Sequence, residues 1–176
     1  MMSYSLPLMQ SKKMEVYALG SYDGPLRSLL LAKNSGAVMP FCYLAGLLAE
    51  RYSTLFENAD GIVPIPLHWT RRWRRGFNQA EVLAYHIAQK VGIKRYMILS
   101  RVRRTSFQAS LPQSLRVNNV KNAFCINRVS DDIYGKKIIL VDDLMTTGST
   151  LAEAARQLVP YKPREIHALV VARATT

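Results

Sequence analysis

The stretch "KKIILVDDLMTTGSTLAEAARQL", Lys136 to Leu158, restricts this chain more than any other part of it. Ile138, Ile139, Leu140 and Val141 form an uninterrupted apolar run, the pattern of a strand buried on both faces. The strand predicted over 137–142 ends on two adjacent carboxylates, Asp142 and Asp143. A Thr-Gly-Ser segment follows, and then a helical pattern over 149–159. A strand with no polar face needs cover above and below, so the stretch calls for a mostly parallel sheet with helices on both faces. Two neighbouring aspartates repel each other, so something must offset that cost.

The rest of the chain repeats the alternation. Strands are predicted at 14–22, 61–67, 95–102 and 165–173, with "AFCIN" as a further short one. Helices are predicted from Pro25, from Pro40 and over 78–91. In the last of these Leu83, Ile87 and Val91 recur on one face, and Asn78 with Glu81 has the spacing of a capping pair. At 176 residues the chain is long enough for one compact domain, read as an N-terminal hood or flank (1–60) on a core (61–176).

The loop after the strand has a direct chemical reading. Met145, Thr146, Thr147, Gly148, Ser149 and Thr150 lie where a helix begins, with unpaired N–H groups and the positive end of the dipole. Those N–H groups and the hydroxyls suit a phosphate monoester, and Gly148 lets the backbone approach it. Asp142 and Asp143, just upstream, can accept hydrogen bonds from sugar hydroxyls. Together these features fit a ribose 5-phosphate. An ordinary helix N-cap would account for Ser149 or Thr150 but leaves the paired aspartates unexplained.

Charge narrows the partners. Lys and Arg total 24 against 12 acidic residues, a net charge of +12, which favours a polyanion: a phosphorylated small molecule or nucleic acid. Cys42 and Cys125 stand apart, and His68, His86 and His167 show no ligand spacing, so neither a protein metal site nor a disulfide is expected. The apolar stretch 37–49 is too short to span a bilayer, and no signal peptide is apparent, so a cytoplasmic location is expected.

"IILVDDLMTTGST" resembles the phosphoribosyl-diphosphate (PRPP) binding motif of type I phosphoribosyltransferases: four apolar residues, two acids, two variable positions, then Thr-Thr-Gly-x-Thr. The resemblance implies that fold, with Asp142 and Asp143 on the ribose hydroxyls as the catalytic pair and residues 145–150 on the 5-phosphate. It also implies a Mg²⁺ that arrives with the diphosphate. Three further blocks are similar to the ComF (competence protein F) branch of that family: Arg75–Gln79, Thr105 with Gln108, and Arg116 with Asn119 leading to Ala123–Phe124. The opening "YDGPLRSLLLAKNSG", with Lys33, is also similar. Many ComF proteins begin with a cysteine-rich zinc module that this sequence does not contain, so no role of that module carries over.

Two arginine-rich segments complete the reading. "HWTRRWRRGF" sets Arg71, Arg72, Arg74 and Arg75 among Trp69, Trp73 and Phe77. In "RVRRTSFQ", Arg101, Arg103 and Arg104 lie where the family places a mobile lid. Arg71, Arg72, Arg74, Arg75, Arg103 and Arg104 suit a diphosphate, because guanidinium forks match phosphate oxygens. Trp69, Arg71, Arg72, Trp73, Arg74 and Arg101 equally suit single-stranded nucleic acid, with bases stacking on indoles.

Two functions therefore stay open. The ComF resemblance implies a protein of natural competence that binds PRPP-type ligands and single-stranded DNA beside other competence proteins. The alternative is a transferase that moves ribose 5-phosphate from PRPP to a nitrogen acceptor and releases diphosphate. The first 60 residues carry no evident base-recognising cluster, which favours the competence reading.

Overall fold

The computed structural model describes residues 2–8, 13–31, 36–67, 76–103, 120–127 and 133–174. Among them the chain runs β1 (Met2–Pro7), β2 (Lys13–Ser21), α1 (Gly24–Leu31), α2 (Met39–Arg51) and the single turn α3 (Ser53–Phe56). Next come β3 (Gly61–Pro64), α4 (Gln79–Val91), β4 (Lys94–Arg95), β5 (Leu99–Arg101) and β6 (Phe124–Ile126). The chain closes with β7 (Lys137–Met145), α5 (Ser149–Leu158) and β8 (Glu165–Arg173). Six strands form one sheet in the order β1-β2-β8-β7-β3-β4, while β5 and β6 pair antiparallel in a sheet of their own. β2, β8, β7, β3 and β4 run parallel, and β1 joins antiparallel at one edge.

The apolar run of β7 explains the layering. Ile138 and Leu140 face one core with Leu151, Ala154, Ala155 and Leu158 of α5. Ile139 and Val141 face the other, with Leu44 and Leu48 of α2 and Leu83 and Ile87 of α4. All four β7 residues are fully buried. A central strand of a covered parallel sheet requires this period-two division. This is the architecture that the resemblance implies: a mostly parallel sheet with helices on both faces. Residues of the predicted hood take part in this sheet. Val16 of β2 pairs with Ala168 of β8, and Tyr52, fully buried after α2, donates its hydroxyl to the carbonyl of Ala18.

Several elements differ from expectation; the strand predicted over 61–67, for one, ends at Pro64. β7 continues past the aspartates to Met145, because β8 runs alongside it to Leu144↔Ala172 and Met145↔Arg173. The single strand predicted over 95–102 is two: Lys94–Arg95 pairs with β3, Leu99–Arg101 pairs with β6. Tyr96 directly follows β4. Its N–H donates to Ile62 at 2.8 Å, and its ring fills the space over Gly61, where a Cβ would lie 2.1 Å from the ring. β1 has no counterpart in the sequence reading; its Ser and Pro content suits an edge strand with one neighbour. Lys33 falls outside the described residues.

Helix α4 starts where its capping pair places it. Asn78 Oδ1 accepts from Ala80 N at 3.1 Å, and its Nδ2 donates to Ile65 O at 3.0 Å and Glu81 Oε1 at 3.2 Å. Asn78 is 3% exposed, so these bonds are made away from water. Asn78→Ala will therefore cost about 1–2 kcal/mol of stability, through the lost cap and the stranded Ile65 carbonyl. Chemical denaturation with an unchanged midpoint would show that the cap contributes nothing. Among the described residues, no helix is long and apolar enough to cross a membrane.

Candidate functional site

The carboxyl end of β7 delivers Asp142, Asp143 and Met145 to one edge of the sheet, and the chain turns through Thr146–Gly148 into α5. Asp142 and Asp143 are half-buried, and Asp142 Oδ1 accepts the Asp143 N–H at 2.8 Å. That bond draws one carboxylate oxygen back to its neighbour's backbone, which orders the pair despite its charge repulsion.

The turn combines a glycine N-cap with a group of hydroxyls. Gly148 is the N-cap of α5, in the left-handed region at φ 79°, and so offers no side-chain oxygen to the first turn of the helix. Thr147 Oγ1 lies 2.7 Å from Ser149 Oγ and accepts weakly from Ser149 N at 3.4 Å. Thr146 Oγ1 is buried and has no hydrogen-bond partner among the described residues. A buried hydroxyl without a partner costs about 1–3 kcal/mol, an expense a bound anion removes. α5 also has no acidic residue in its first turn, so nothing there opposes a phosphate.

Remote residues close the site from the side. Leu6 of β1 lies over Gly148: a Cβ there would meet its side chain at 2.5 Å. Gly148→Ala will thus strain the left-handed backbone by about 1–2 kcal/mol and push Leu6 outward. Both the melting temperature and the affinity for ribose 5-phosphate should fall; an unaffected affinity would remove the loop from the site. A cavity of about 660 Å³ adjoins the loop, between Leu6–Leu8, Thr147–Ser149 and the flank of α5. Arg173, at the end of β8, pairs with Met145 in register and stacks 3.8 Å from the centre of the Tyr4 ring. Sequence reading singled out neither Leu6 nor Arg173, since only strand pairing brings them here.

The flank of α5 carries a polar clamp. Glu153, 9% exposed, accepts from Arg156 Nε at 2.9 Å and Nη2 at 2.7 Å, and from Asn122 N at 2.8 Å; Arg156 also donates to Asn122 Oδ1 at 2.9 Å. Burial raises the Glu153 carboxyl, but the bonds from Arg156 and Asn122 outweigh it and hold it below its ordinary value. A lowered folded value means the stabilisation is complete above the unfolded glutamate value and is lost as pH falls through the folded one. Glu153→Gln should therefore flatten the acid side of the stability–pH curve; an identical curve would exclude the clamp.

The arginine segments divide. Arg101 lies on the small β5–β6 sheet, its guanidinium 5.3 Å from the centre of the Phe124 ring, and Arg103 is exposed just beyond. Trp69, Arg71, Arg72, Trp73, Arg74, Arg75 and Arg104 lie outside the described residues. Asn78 and Gln79, which follow the first segment, are buried beside Ile65, whose N–H donates to Val141 O at 2.9 Å. That bond places them next to the strand end that carries Asp142. Gln79 is 2% exposed, and its Nε2 lacks a partner among the described residues.

Among the described residues, no three His, Cys, Asp or Glu side chains gather where one metal ion could be held. The donors at the loop are two half-buried carboxylates, a set that suits a Mg²⁺ whose remaining ligands are water and a diphosphate.

The chain is similar to known proteins over most of its length. Residues 44–176 match the phosphoribosyl transferase domain family. The DNA utilization protein YhgH of Salmonella typhimurium is 41% identical over 117 residues, 66% of this chain and 50% of that protein. Competence protein F of Haemophilus influenzae is 37% identical over 133 residues, 75% of this chain and 58% of that protein. Competence protein ComFC of Bacillus subtilis is 34% identical over 109 residues, 56% of this chain and 38% of that protein. The chain thus spans about half the length of the curated relatives it matches first. It belongs to the phosphoribosyl transferase domain family, on the branch that holds competence protein F and the DNA utilization proteins.

Proposed function

We propose that this chain is the PRPP-binding part of a cytoplasmic competence-type protein that handles incoming single-stranded DNA. The observation that carries the ligand is the loop after β7: an uncapped helix start, a buried Thr146 hydroxyl without a partner and two carboxylates one step upstream. In this reading the N–H groups and hydroxyls of Thr146–Thr150 hold the 5-phosphate, and Asp142 and Asp143 hold the ribose hydroxyls. Arg71, Arg72, Arg74, Arg75, Arg103 and Arg104 meet the diphosphate. When bound, Mg²⁺ neutralises diphosphate charge; the protein contributes orientation and the exclusion of water. The net charge of +12 and the names of the relatives support the DNA partner, which Trp69, Trp73 and Arg101 would share with the arginines, and support partners within the competence machinery.

The proposed division keeps 61–176 as the ligand-binding core and 1–60 as its flank. A calorimetric titration with PRPP and Mg²⁺, repeated with a single-stranded oligonucleotide, tests the reading. Binding of both, with mutual competition, is the expected result. Diphosphate release on adding a nucleobase, without DNA binding, would instead establish the transferase.

A further inference from the structure

On the sheet face opposite α5, helices α2 and α4 pack side by side and bring together two residues that the ligand site does not use. Cys42 Sγ lies 3.1 Å from His86 Nε2, and both side chains are half-buried. Cys42 sits in the first turn of α2, where no side chain caps the helix and the positive end of the dipole favours an anion. Its other neighbour is the Val38 carbonyl at 3.7 Å. Cys125, the second cysteine, is equally half-buried, yet it has a carboxamide for a neighbour, Asn127 Oδ1 at 3.9 Å. Both thiols are partly buried, and Cys42 differs from Cys125 in its imidazole neighbour and its place at a helix start. Met39 and Tyr43, near Cys42 on α2, and Tyr85, whose ring lies 5.1 Å from that of His86, are all exposed; the Arg95 guanidinium lies 5.3 Å from the Tyr85 ring.

We propose that Cys42 and His86 form a reactive dyad, a site of oxidative modification by organic hydroperoxides. His86 Nε2 takes the thiol proton, and the sulfur attacks the terminal peroxide oxygen. The S–O bond forms as the O–O bond breaks, and the departing alkoxide takes the proton from the imidazolium. Sulfur is oxidised to a sulfenic acid while the hydroperoxide is reduced to an alcohol. Exposed Met39, Tyr43 and Tyr85 would give the organic part of the peroxide an apolar surface to lie on.

The test treats the full chain with cumene hydroperoxide, traps sulfenic acid with dimedone and quantifies each cysteine peptide by mass spectrometry. Cys42 should label at least about tenfold faster than Cys125 in the unmodified protein, a comparison that needs no variant. His86→Gln should remove most of that advantage while Cys125 keeps its rate. Equal labelling of the two cysteines, or a Cys42 rate indifferent to His86→Gln, overturns the proposal.

Discussion

Replacing Asp142 and Asp143 together by asparagine will weaken ribose 5-phosphate binding by about 10²- to 10⁴-fold. Each carboxylate that accepts a sugar hydroxyl contributes about 1.5–3 kcal/mol as a charge-assisted hydrogen bond, and the variant loses two. The fold should survive. Asparagine keeps the Oδ1 acceptor that holds the Asp143 N–H, and the change relieves the repulsion between adjacent charges. Calorimetry on both proteins, with melting curves beside it, gives the answer. A variant that melts normally and binds as the parent does would take the aspartates out of the site.

The second large effect concerns DNA. If the arginine segments contact about four to six phosphates of a single strand, log K against log salt will slope about −3 to −4, since each contact contributes about −0.7. Affinity should then fall about 10²-fold between about 50 and 200 mM salt. Removing Arg71, Arg72 and Arg74 together should flatten the slope by about two units. Trp69→Ala or Trp73→Ala should instead cost about 1–3 kcal/mol with little change in slope, because stacking involves no counterion release. Filter binding over a salt series separates these outcomes. Salt-insensitive binding, or none at low salt, assigns the arginines to the diphosphate alone.

What the sequence disclosed follows the range of the interactions involved. Helix α4 and its Asn78–Glu81 cap were legible because periodicity and capping are settled within a few residues. The candidate loop was legible as a strand-to-helix turn for the same reason: strand, carboxylates, hydroxyls and Gly148 all lie in one stretch. The edge strand β1 was not, since among the described residues its only sheet partner is β2, and its pattern carries no continuous apolar signal. The seat of the Tyr96 ring over Gly61 was hidden too, because the two residues are distant in sequence. Leu6 over Gly148, Arg173 beside Met145, and Asn122 clamped to Glu153 are all long-range contacts. No local pattern announces them, and they give the site its walls.

The central claim is that residues 142–150 hold a ribose 5-phosphate. Its most direct test is a titration of the ¹⁵N-labelled protein with ribose 5-phosphate, followed through the backbone amide signals. The account predicts saturable shifts largest at Thr147–Thr150, where helix α5 opens, with smaller ones at Asp142 and Asp143 and none on the α2–α4 face. Saturable shifts centred elsewhere, or none at millimolar ligand, would contradict it.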